Sequence, residues 1–277
     1  MLRCGAVLVV LGGGLGGTAA WAAGEPAWTA GRAHLYLEGA PGAVLEDRLT
    51  VTNPGAKPLT VRLAPAEAYN TASGELAVRA ARDAEATGAW ISLATTRLTV
   101  PPRTRAEVPF SVTVPPDALP GDHPGAITAT TADREVGVRI HLRVSGPTLA
   151  ALTVENVSYA AGAIRYTLVN RGNTALTPTL TVSVDGLFGK VLSRPARALP
   201  VELLPAQRVT LTEPWAKPPS LDSVDIRLKA TAAGDAKSTA VATANFIPWT
   251  AVGLSALGLA AGASAWLFHR HSTRSKT

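Results

Sequence analysis

Three basic side chains, Arg139, His141 and Arg143, stand at alternate positions in the run Val138-Arg139-Ile140-His141-Leu142-Arg143-Val144. In an extended strand this alternation puts all three on one face, with successive members about 6.6–7 Å apart. Val138, Ile140, Leu142 and Val144 then fall on the other face. Such a basic row could hold the carboxylates of peptide stems or the phosphates of a wall polymer through charge-assisted hydrogen bonds, and it is the binding row predicted here. The plainer reading of the same row is a solvated face that discourages edge pairing. Trp90 could stack on a sugar ring, but Ile91 and Leu93 after it favour a core anchor. The turn-rich stretches from Asn70 to Gly74 and from Pro120 to Gly125 are the next candidates for a binding loop.

Other chemistry is poorly provided for. His34, His123 and His141 are far apart in the chain, with no paired spacing of the metal-binding kind. No Gly-x-Ser-x-Gly elbow is present. The glycine run at 12–17 lacks the Lys-Ser/Thr ending of a phosphate loop. The single cysteine, Cys4, lies close to the N-terminus in a stretch that reads as a signal peptide, so the mature chain has no disulfide framework and no cysteine nucleophile. These features predict a binding protein rather than an enzyme, with no metal and no cofactor.

The elements that must position the row read as strands. Glu107 to Val114, Val136 to Ser145, Ile164 to Leu168 and Val224 to Leu228 all alternate with a period of two, the pattern of strands with one face in a core and one in water. Turn formers separate them at Asn53-Pro54-Gly55, Pro101-Pro102, Asn170-Arg171-Gly172-Asn173 and Asp185-Gly186. Many short strands with regular turns predict an all-β chain of two tandem immunoglobulin-like β-sandwiches, covering 31–146 and 147–246 and divided near Ser145-Gly146-Pro147.

The ends read as membrane signals. Arg3, the apolar run Gly5 to Ala20 and Ala20-Trp21-Ala22 form a signal peptide over 1–22. Ile247 to Phe268 is 22 residues without a charge, about 33 Å as a helix and enough to span a bilayer core. Trp249 and Trp266 lie near the ends of that span, and Arg270 opens the basic tail 269–277. Aromatic residues favour the interface and positive charge stays on the cytoplasmic side. The expected product is a single-pass cell-membrane protein with its ectodomain outside, facing the cell wall. The net charge of +6 owes four of its positive charges to Arg3, Arg270, Arg274 and Lys276. Residues 23–246 hold 22 Lys and Arg against 20 Asp and Glu, a balance of only +2, so nucleic acid is not an expected partner.

Several runs carry a family resemblance. Tyr36-Leu37-Glu38 with Pro41-Gly42, then Leu49-Thr50-Val51-Thr52-Asn53-Pro54, Gly88-Ala89-Trp90-Ile91, Pro101-Pro102, and Val114-Pro115-Pro116 through Pro120-Gly121-Asp122-His123-Pro124-Gly125 resemble the WxL-interacting proteins of Gram-positive cell surfaces over about 31–146. Asn170-Arg171-Gly172-Asn173-Thr174 and Leu203-Leu204-Pro205 fit that family's membrane-proximal domain less specifically, and Ala206 stands where a Gly is expected. The resemblance implies a first domain that binds peptidoglycan and a second that contacts a surface protein of the WxL type. An alternative of a different class is a chaperone-like protein or scaffold for surface assembly, because tandem sandwiches with open edges can donate or receive a strand.

Overall fold

The computed structural model describes residues 19–20, 29–30, 34–80, 87–246, 262–264 and 266. Its elements are almost all strands. The first part of the chain contains β1 (Ala19–Ala20), β2 (Thr29–Ala30), β3 (His34–Gly39), β4 (Val44–Asn53), β5 (Leu59–Asn70) and β6 (Leu76–Ala80). After a 3-10 turn at Thr87–Trp90 come β7 (Ile91–Leu93), β8 (Arg97–Val100), β9 (Thr104–Thr113), β10 (Gly121–Thr130) and β11 (Glu135–Val144). One sheet runs β1-β6-β5-β10-β11-β3, with β8 also on β5, and the other runs β2-β4-β9-β7. The inward residues of the two sheets meet in one core that includes Leu49, Val61, Phe110, Ile127, Ile140 and Leu142. The Trp90 ring is partly buried against this core.

The second part contains β12 (Leu152–Ala160), β13 (Ala163–Asn170), β14 (Thr179–Gly186), β15 (Gly189–Ala198), β16 (Arg208–Pro214), β17 (Asp222–Thr231) and β18 (Lys237–Phe246). Sheets β12-β13-β16 and β15-β14-β17-β18 close on a separate core around Tyr166, Leu168, Val184, Leu203, Ile226 and Leu228. Both sandwiches are thus all-β and of the immunoglobulin-like kind, as the alternation predicts.

Both sandwiches use the same corner. Asn53 ends β4, accepts a hydrogen bond from Gly55 N at 3.0 Å and donates to Val100 O at 3.0 Å. Asn170 ends β13, accepts from Gly172 N at 2.9 Å and donates to Leu203 O at 3.0 Å. Both asparagines are buried, and each satisfies backbone groups that a turn would otherwise leave unpaired.

The signal segment lies outside the described residues apart from Ala19–Ala20, which pairs with Val78 and Ala77 of β6. Of the expected membrane span 247–268, only 262–264 and 266 are described, and they are helical. Trp249 and Arg270 lie outside the described residues, and Trp266 is exposed. Among the described residues no helix is long and apolar enough to cross a membrane.

Candidate functional site at the junction of the two sandwiches

The predicted basic row does lie on one face of β11, but that face is only partly open to solvent. The second sandwich covers one end of it. Arg139 is only 2% exposed. Its Nη1 and Nη2 donate to Glu202 Oε2 and Oε1 at 2.5 and 2.7 Å, a two-pronged pair in the geometry a guanidinium prefers. Arg143 keeps its exposure, but its Nη2 and Nε lie 2.7 and 2.8 Å from Asp122 Oδ1. The row expected to be free for an anionic polymer is therefore two arginines already neutralised by carboxylates, with a histidine between them. Alternation correctly separates the two faces of β11; it carries no information about what packs on the second one.

His141 is half-buried between the aromatic groups of β3. Its ring stacks on Tyr36 at 4.6 Å between centroids and meets His34 edge-on at 5.4 Å. Parallel pairing of β3 with β11 produces this cluster, since His34 lies opposite Arg139 and Tyr36 opposite His141. Burial and then the Arg139 charge push His141 down from its ordinary 6.5 to about 4. His141 is consequently neutral at physiological pH and adds no charge to the row near pH 6. Burial works to raise the pKa of Glu202, but the hydrogen bonds and charge of Arg139 outweigh it, so this carboxyl sits below its ordinary value.

Around these groups lies a cleft of about 440 Å³ lined from both sandwiches, by Tyr36, Glu38, Asp122, Pro124, Arg139 and His141 on one side and Ala175 and Leu204 on the other. The lining also holds one buried donor, Arg139 Nε, that has no partner. Clamps fix the cleft walls. Asn70 donates to Glu202 O at 2.8 Å and accepts from Leu204 N at 2.9 Å. Asp122 Oδ2 accepts from Ala175 N at 2.8 Å, and Asp122 N donates to Asn173 O at 2.7 Å. The stretches from Asn70 to Gly74 and from Pro120 to Gly125, expected as variable binding loops, are in large part these clamps. Thr210 N also donates to Ala72 O at 2.7 Å.

Of the site's other members, Asp122 lies in the candidate loop Pro120 to Gly125, whereas sequence assigns no binding role to Tyr36, His34 or Glu202. No local signal announces a contact such as His34 with His141, because it depends on a parallel pairing between strands far apart in the chain. His123, the third histidine of the sandwiches, lies away from this cluster and packs against Trp90 at 4.9 Å. Among the described residues no group of three or more His, Cys, Asp or Glu could hold a metal ion.

A second buried carboxylate lies in the other sandwich. Glu213 is 2% exposed and receives Arg194 Nη1 at 2.9 Å, Arg197 Nη2, and Tyr166 OH at 3.4 Å. It joins β15 to β16 across the two sheets and so ties the second sandwich together from within.

No protein-family model and no curated protein matches the chain. Solved structures do match. One is the chaperone–tip adhesin complex of CFA/I fimbriae biogenesis, at 8% identity and a TM-score of 0.46, covering 77% of this chain and 97% of that one. Another is the Pseudomonas aeruginosa CupB2 chaperone, at 12% identity and a TM-score of 0.37, covering 77% and 98%. A third is the CsuC–CsuE chaperone–tip adhesin pre-assembly complex of Acinetobacter baumannii, at 9% and 0.42, covering 77% and 97%. The likeness is one of fold.

Proposed function

We propose that this chain is a membrane-anchored surface protein that holds a segment of a partner polypeptide along the open edge of its first sandwich, as a chaperone or assembly scaffold would. The observation that carries this reading is Tyr36, an aromatic residue 73% exposed on an edge strand at the mouth of the cleft. Among the described residues β3 pairs on one side only, with Arg139 to Val144 of β11. The preceding residues of β11, Glu135 to Val138, have no strand on that side among the described residues. An edge of this kind offers main-chain hydrogen bonds to an added strand, and pockets beside it select that strand's side chains. The cleft between the sandwiches is such a pocket. Capture of an anionic wall polymer by the basic row has less support, because Arg139 and Arg143 are engaged by Glu202 and Asp122. The resemblance to WxL-interacting proteins supports a surface protein as the partner. Anchorage through 247–268, with the ectodomain facing the wall, is supported by the uncharged length of that segment and the basic tail after it.

Photo-crosslinking in cells tests the proposal. A crosslinker at Tyr36 or Glu135 of the full chain should capture one polypeptide that a crosslinker at exposed Lys229, on the distal sandwich, does not. Tyr36→Ala should reduce capture at 135 while changing stability by no more than about 1 kcal/mol, since the side chain is exposed. Capture that is absent or equal at all three positions, with the protein retained on purified wall sacculi, would return the reading to a wall polymer.

A further inference from the structure

The end of the second sandwich that faces away from the first carries an unusual turn. β14 and β15 are joined by Leu187-Phe188 alone, with Gly186 paired to Gly189. Leu187 is 76% exposed and Phe188 87% exposed. Leu221, in the adjacent connection before β17, is 62% exposed. Two-residue turns normally carry polar residues and glycine, so two large apolar side chains at a tip are out of place for a surface that meets only water. The turn is also held in position: Leu187 N donates to Oδ1 of the buried Asp222 at 3.0 Å.

The register locates this tip. Gly186 pairs with Val224, and Asp222 pairs with Phe246, the last residue of β18. The tip therefore lies at the end where β18 leaves the sandwich. It is two strand spacings across the sheet from β18, about 10 Å. The exit is braced by Tyr159, Trp215 and Phe246, whose ring centroids are 5.0–5.6 Å apart in edge-to-face contacts. The chain then continues directly into the uncharged run Ile247 to Phe268. The contacts with the first sandwich, at Asn173, Ala175, Glu202, Leu204 and Thr210, are all at the opposite end.

From this placement we infer that Leu187, Phe188 and Leu221 form a second membrane contact, dipping into the interfacial layer of the bilayer that holds the anchor and standing the ectodomain upright on it. The inference rests on the anchorage proposed above. The occupant is lipid, because the braced Phe246 at this end is followed at once in sequence by the uncharged run, while the cleft lies at the far end.

The full chain in phosphatidylcholine nanodiscs provides the test. The mature chain has no cysteine, so Phe188→Cys and, on the first sandwich, Asp133→Cys can each carry a single environment-sensitive dye. The expected result is a blue shift at 188 and loss of its emission when the discs contain lipid spin-labelled near the headgroup, with no change at 133. A dye at 188 that remains in water, on chains that have entered the discs, overturns the inference and leaves anchorage standing. A blue shift that follows the number of chains per disc and ignores the spin label assigns the tip to a second copy and likewise overturns it. Failure of the chain to enter discs at all removes the anchorage and this contact together, and disc occupancy separates that outcome from the others.

Discussion

At the scale of single residues, the junction is built from side chains whose partners lie in the other sandwich, while the corners are built from local chemistry. Ala206 is a corner residue in the left-handed region, with φ 58°, and Arg103 occupies the same place in the first sandwich with φ 55°. A left-handed conformation costs an L-residue about 1–2 kcal/mol, and glycine avoids that cost while losing more chain entropy on folding. Ala206→Gly should therefore raise stability by about 0.5–1 kcal/mol, seen as a higher urea midpoint with an unchanged slope. The turn at Asn170-Arg171-Gly172-Asn173 is legible from its own residues, whereas the expectation of glycine at 206 comes only from the family resemblance. The pairing of Arg139 with Glu202 is not legible from either. Nothing in the neighbourhood of either residue distinguishes a buried ion pair from two solvated charges.

At the scale of elements, β3 and β11 together enclose one histidine whose titration is shifted. His141 faces Arg139, Glu202, His34 and Asp122. Its folded pKa, about 4, lies below the ordinary 6.5, so between these values the unfolded chain binds a proton that the folded chain does not. Stability must then fall as pH falls through that window. Glu202 has the opposite charge type and the same consequence: its lowered pKa contributes stability at neutral pH that is lost as acid reaches the carboxylate range. Urea midpoints measured from pH 7 to pH 4 should decline, and His141→Asn should flatten the upper part of that decline. Partner binding through this face should weaken with acid. A His141 that gained charge near pH 6, as the bare sequence suggests, would strengthen anion binding there; its burial removes that behaviour. The strands themselves are plain in the sequence because period-two alternation is a property of each strand alone. Their order in the sheet is a property of the whole domain and leaves no local trace.

At the scale of the whole molecule, the two sandwiches are held as a pair by a close backbone approach. Gly121 has φ +127° and lies against Asn173, so that a Cβ would collide with the Asn173 carbonyl oxygen. Gly121→Ala should leave both cores folded and separate the domains, increasing the radius of gyration in small-angle scattering and removing protection from exchange at Asp122 N and Ala175 N. The same architecture sets a timetable. His34 finds its partner only when Arg139 has been made, and Asn70 finds Leu204 later still. Long-range pairings of this kind are slow to form. A chain made from its N-terminus has β3 unpaired until β11 follows, and Arg139 uncovered until Glu202 follows. The edge strand cannot dock before β11 exists, and the clamp cannot close before the second sandwich has followed. Until then the cleft does not exist, so this surface is complete only once the whole of the second sandwich has been made.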